Sequence, residues 1–213
     1  MVRSLGAAGD VLLRRCAAAA AVAGGVAWTI KAGVVLATGD EPPAAYAIGL
    51  ILFPFALLGL WSSVRESDGR AAGVGGILAA LAAVSAVLAL GVRAVGGKGV
   101  EGGEDEVTLL TPFLLLAGFG TFAALIALGL AARRTSALPS GYASLPLAMG
   151  LGLIPLLMLG AALEGLNERL FELPIALLGL GWVAIGGALW KAANSAPHVT
   201  GVPQEADRRA RSR

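Results

Sequence analysis

Six long apolar runs constrain this chain more than any other feature. They cover residues 17–38, 45–64, 71–92, 107–131, 143–163 and 173–193, and the charged residues are confined to short islands between them. A helix needs ~20 apolar residues to cross the ~30 Å hydrocarbon core of a bilayer, and each run reaches that length. Strands of a membrane barrel would be ~10 residues of alternating polarity, a pattern these runs lack. Backbone in hydrocarbon must satisfy its own hydrogen bonds, so helices are the form left to them. The expected fold class is an all-α integral membrane protein, a bundle of six transmembrane helices. Composition agrees: 57% of the 213 residues are hydrophobic and 14% charged, against about half and about a quarter in soluble domains.

Charge in the connecting segments gives the orientation. One side carries Arg3, Arg14, Arg15, Arg65, Arg70, Arg133, Arg134, Lys191, Arg208, Arg209, Arg211 and Arg213; the other carries only Arg93, Lys98 and Arg169. Asp40, Glu41, Glu101, Glu104, Asp105, Glu106, Glu164, Glu168 and Glu172 all fall on that second, cation-poor side. The positive-inside rule then places both termini in the cytoplasm and the protein in the plasma membrane as a multi-pass chain. Residues 1–16 read as a cytoplasmic N-terminal segment, 17–193 as the six-helix domain, and 194–213 as a disordered basic cytoplasmic tail that lies on anionic headgroups. "LLRRCAAAAAVAGGVA" has the layout of a cleavable signal, but its apolar run continues to Ala37, so an anchor that stays attached is expected. The Ala, Gly and Arg bias suggests a GC-rich bacterial genome.

Lipid tails are as apolar as leucine, so helices in a bilayer associate through close packing. The chain supplies 31 glycines, as in "AVAGGVA", "AAGVGG", "AMGLGL" and "GLGWVAIGGA", which predicts a tight bundle with little internal cavity. Pro54 and Pro155 lie inside spans and predict helix kinks. Pro112 and Pro174 sit near span starts, where the missing N–H matters less. Pro42 and Pro43 are expected to begin the second helix, with Asp40 or Glu41 as its cap. "FPFALLGLW", "TPFLLLAGF" and "LPIALLGLGW" recur in alternate spans, compatible with three helical hairpins, although an alphabet of Leu, Ala and Gly produces such matches by chance.

Lys31, in "VAWTIKAGVVLATG", is the one charge deep within a span. It lies seven residues before Thr38, ~10 Å along a helix at ~1.5 Å per residue. Its ammonium either snorkels toward water or pairs with a carboxylate, because a lone cation in hydrocarbon costs about 2.5–3.5 kcal/mol at a span centre. Asp40 and Glu41, nine and ten residues along the same helix, are too far for a direct pair at ~1.5 Å per residue. "EGLNERLFELP", 164–174, offers more. As a helix it would line Glu164, Glu168 and Glu172 on one stripe, where their mutual repulsion calls for cations such as Arg169 and Lys31. Lys31, Glu164, Glu168, Arg169 and Glu172 form the candidate intramembrane polar site. The competing interpretation is a short amphipathic connector whose carboxylates are simply solvated.

Several chemistries are excluded. The single histidine, His198, lies in the tail, which removes histidine relays, haem ligation and Ser–His or Cys–His nucleophiles from the membrane domain. Cys16 stands alone, and "EGGEDE", 101–106, lacks the alternating ligands of a calcium loop, so no metal and no cofactor are expected. "ATGD", 37–40, departs from the Gly-x-Gly-Asp of intramembrane aspartyl proteases at its first glycine. "LPSGYA" misses the rhomboid serine motif, and "EGLNER" lacks the companion histidines of the CAAX proteases. No nucleic-acid motif is present. The function expected is a non-catalytic membrane subunit or accessory protein, not an enzyme. It would act through helix–helix contacts with itself as a homo-oligomer, or with another membrane protein. The alternative is a small permease for an ion, lipid or small solute that uses Lys31 and the outer-rim glutamates.

Overall fold

A computed structural model describes residues 2–66, 69–96, 108–135 and 137–195 of the chain. The acidic loop 101–106, Lys98, His198 and the basic tail from residue 196 lie outside the described residues. Six helices follow one another: α1 (Val2–Thr38), α2 (Pro43–Val64), α3 (Gly69–Gly96), α4 (Thr111–Thr135), α5 (Leu145–Glu164) and α6 (Glu172–Ser195). A 3-10 turn, Glu168–Phe171, stands between α5 and α6. All six helices are long and apolar enough to cross a membrane.

Residues 2–16, set apart from the first span in the sequence, continue it as helix. Contacts to the end of α2 hold this extension. Asp10 pairs with Arg65 at 3.1 Å. Arg14 Nη2 donates to the Ser62 carbonyl at 3.4 Å, near the end of α2, where carbonyls lack helical partners. Antiparallel succession leaves two unlike ends. Arg14, Arg15, Arg65, Arg70, Arg133 and Lys191 gather at one, the arginine end; Glu41, Glu164, Glu168 and Glu172 gather at the other, the acidic end.

The most extensive helix pairs are α1 with α6, α1 with α2, and α3 with α4, and α2 lies centrally, touching α1, α3, α4 and α6. Of the three hairpins suggested by the repeat, the first two pair extensively, whereas α6 packs more on α1 than on α5. Glycine explains this choice. A Cβ on Gly25 would stand 2.5 Å from the Gly179 carbonyl oxygen, and one on Gly186 would stand 2.8 Å from the Ala18 carbonyl oxygen. The two backbones therefore approach as closely as a missing side chain allows, which maximises dispersion contact where no hydrophobic force is available.

Leu57 and Leu60 of α2, Leu125 and Leu128 of α4, and Trp182, Ile185 and Leu189 of α6 fill the centre. Phe53 stacks on Trp182 with centroids 4.3 Å apart. Val74, Ile77, Val84, Phe119, Ile154 and Met158 point outward and exposed, a coat suited to hydrocarbon. Packing is looser around α5. An open apolar recess of about 180 Å³ lies among α1, α4, α5 and α6, with Trp28, Phe119, Leu157 and Ile175 in its walls. Pro54 and Pro155 lie inside α2 and α5, both of which run through them unbroken.

Candidate functional site

The deepest ionisable group has found a partner across the bundle. Lys31 Nζ donates to Glu172 Oε1 at 2.8 Å and meets Glu41 Oε1 at 3.1 Å. Side-chain exposure is 11% for Lys31, 10% for Glu172 and 59% for Glu41, so one carboxylate is interior and the other faces outward. The cluster joins α1, α6 and the turn between α1 and α2.

Glu41 corrects the expectation that it lies too far from Lys31. Helical rise does not apply, because α1 stops at Thr38. Gly39 adopts φ +85°, a left-handed conformation suited to glycine, and its N–H donates to the Val35 carbonyl at 2.8 Å. Asp40 N–H then donates to Thr38 Oγ1 at 3.1 Å. The chain turns over the end of its own helix and carries Glu41 back within reach of the ammonium. A second expectation changes with it. The residue preceding α2 is Pro42, with no side-chain cap hydrogen bond, and Glu41 serves Lys31 instead.

The stripe of three glutamates is not formed. Glu164 ends α5, Glu168 begins the 3-10 turn, and Glu172 begins α6. The break is local. Leu166 and Asn167 N–H groups both donate to the Leu163 carbonyl, and Asn167 Oδ1 accepts from Arg169 N–H at 3.0 Å, restarting the chain as a tighter turn. Like charges separate as a result. Glu164 and Glu168 are exposed and Glu172 is buried, so only the last reaches Lys31. Arg169 turns toward α1, where its Nη1 donates to the Ala37 carbonyl at 3.4 Å. Its guanidinium also fills the space a Gly39 side chain would need, the nearest approach being 2.9 Å. A cation against the last carbonyls of α1 also suits the negative end of the helix dipole.

Two further features surround the pair. Trp28, three residues before Lys31, stacks near Tyr46 at 6.4 Å and meets Phe53 edge-on at 5.1 Å. Gly49 of α2 leaves the room its indole takes. The other feature is Glu172 Oε2, buried with no hydrogen-bond partner among the described residues. Trp28 stands out in the sequence as an aromatic residue one helical turn from the lysine; the orphan oxygen has no sequence signal.

Two buried hydroxyls elsewhere in the interior are spent locally. Ser62 donates to Gly59 and Thr121 to Ala117 within their own helices, each at 2.7 Å. The recess near the site has apolar walls. Among the described residues no three His, Cys, Asp or Glu are grouped to hold a metal ion.

Six apolar membrane-length helices with an ion pair buried between the first and the last define a multi-pass helical membrane protein. Comparison of the chain with protein-family models, with curated proteins and with solved structures finds no match.

Proposed function

We propose that this chain is a non-catalytic subunit or accessory protein of a bacterial plasma membrane, acting through helix contacts with another membrane protein or with itself. One observation carries the proposal: the deepest charge is engaged as an internal fastening. Lys31 ties α6 and the α1–α2 turn to α1 through Glu172 and Glu41. A coupled transport site is usually built from ionisable or unwound elements accessible near the midplane. Here α2 and α5 run through their prolines, and the buried hydroxyls of Ser62 and Thr121 close on their own backbones. The positive-inside rule favours both termini on the cytoplasmic side, because twelve of the fifteen cations that flank the apolar runs, the terminal segments included, fall on that side. Affinity capture of the intact protein from native membranes, followed by mass spectrometry, is expected to recover a membrane-protein partner or a defined homo-oligomer. A purified chain that is monomeric, recovers no membrane protein and carries solute in vesicles would refute the proposal.

A permease is the second reading, and Glu172 favours it. Its second oxygen is buried without a partner, while its first shares one ammonium with Glu41. A buried carboxylate oxygen left without a hydrogen-bond partner is the kind of group that holds a small cation. Reconstituted vesicles separate the two readings: flux that falls with Glu172→Gln while the fold survives belongs to the permease.

A further inference from the structure

At the arginine end, α1 and α6 frame a trough that the bundle itself leaves open. It holds about 530 Å³ and is lined by Ala19, Val22, Ala23, Gly186, Gly187 and Trp190, with Lys191 at its mouth. The trough exists because these two helices approach through Gly186 and Ala18 while the residues flanking that contact are too small to close over it. From Ala18 to Ala23 it runs ~8 Å into the apolar region. A Cβ on Gly187 would meet nothing within 4 Å, so the depth there is unfilled space.

Its mouth is cationic and amphipathic. The Arg15 guanidinium lies 6.0 Å from the Trp190 ring centroid, and Lys191 Nζ lies 5.1 Å from that of Tyr142. Arg15 spends one N–H on Asn194 Oδ1 at 3.0 Å. Neither cation pairs with a carboxylate among the described residues, in contrast to Arg65, which holds Asp10. Aromatic rings at this level mark the headgroup zone, and a planar guanidinium and an ammonium, each set on an aromatic ring at this end of α1 and α6, suit the oxygens of a phosphodiester.

We propose that this trough binds an anionic phospholipid, its phosphodiester held by Arg15 and Lys191 and the first part of one acyl chain lying against Ala19, Ala23 and Gly187. Charge selects the occupant. A zwitterionic headgroup brings its own cation toward two others, whereas a singly anionic one brings only the complementary charge. A second copy docked face to face on the same surface would set Arg15 and Lys191 against their own counterparts, which disfavours that occupant.

Delipidated full-length protein in a neutral maltoside detergent, titrated with dioleoyl-phosphatidylglycerol or dioleoyl-phosphatidylcholine and followed by native mass spectrometry, tests the site. Phosphatidylglycerol is expected to bind at least roughly tenfold more tightly. Two cations at an anionic headgroup correspond to a preference on the order of thirtyfold, which the Arg15→Gln/Lys191→Gln double variant should abolish. Gly187→Leu, whose Cβ meets nothing within 4 Å, projects into the trough and should weaken phosphatidylglycerol about tenfold, while Gly91→Leu, with an equally open Cβ on α3, should not. Equal affinities for the two lipids would overturn the proposal. So would a preference that survives the double variant, binding indifferent to Gly187→Leu, or a stable dimer that Gly187→Leu dissociates.

Discussion

Lys31 and Glu172 are separated by 141 positions in the chain and by 2.8 Å in space. The bond fastens the first helix to the last at the acidic end, while glycine contacts fasten the same two helices further down. A buried ion pair of this kind adds little net stability, since both charges give up their hydration. Removing one partner is costly, because the survivor is left alone in apolar surroundings.

Lys31→Met is therefore expected to cost roughly 3 kcal/mol, and the Lys31→Met/Glu172→Leu double variant no more than about 1 kcal/mol. Reversible unfolding in mixed micelles measures both. A single variant as stable as the wild type would mean that the pair carries no energetic weight.

Glu41 should matter far less than Glu172. It is mostly exposed, and an exposed carboxylate contributes at most about 1 kcal/mol through an ion pair. Glu41→Gln should lower stability by less than Glu172→Ala in the same assay, and its effect should shrink as salt is raised. The reverse order of the two losses would place the anchoring carboxylate in the turn instead of in α6.

Gly179→Ala and Gly187→Ala, eight residues apart on one helix, should differ in sign. At Gly179 a Cβ would stand 2.5 Å from Thr29 Oγ1 and 2.8 Å from the Gly25 carbonyl oxygen. The helices must part, at about 1–3 kcal/mol. At Gly187 the space is open, and alanine's better helix propensity should stabilise by up to about 1 kcal/mol. Equal effects in thermal unfolding would show that α1 and α6 are not in backbone contact.

Gly39→Ala combines two penalties. A left-handed residue with a side chain costs about 1–2 kcal/mol, and the new Cβ would press on Arg169. Gly69→Ala, with nothing nearby, should be neutral. If both are neutral in the same unfolding assay, the turn that brings Glu41 to Lys31 is not formed as described.

Orientation is testable with single thiols, since Cys16 is the sole cysteine of the chain and is exposed. In a Cys16→Ser background, Glu168→Cys should react with an impermeant maleimide on intact cells, and Glu66→Cys only after lysis. The opposite labelling pattern would invert the proposed topology.

The six helices could be read directly, because hydropathy and helix length are local properties, and each run carries its own evidence of crossing a bilayer. The need for a partner to Lys31 was equally legible, since a charge in hydrocarbon demands one wherever the chain leads. The identity of that partner was only narrowed, to a segment with three glutamates. A uniform helix through "EGLNERLFELP" would have treated them alike, yet the turn built on Asn167 buries Glu172 and exposes the other two. Glu41 is not legible as a partner, because rise per residue assumes a helix and one left-handed glycine ends it.

Which helices touch was beyond the sequence. Glycine and alanine occur on nearly every face, so their spacing announces close packing without naming the neighbour, and the pairing of α1 with α6 through Gly25, Gly179 and Gly186 emerges only when all six helices are assembled. The trough beside that contact has the same origin. The chain by itself determined that it must cross a bilayer and satisfy one buried cation, because the cost of exposing backbone or charge to hydrocarbon falls on each segment separately. Tertiary structure decided the partners, because dispersion contact and ion pairing depend on distances between segments far apart in the chain.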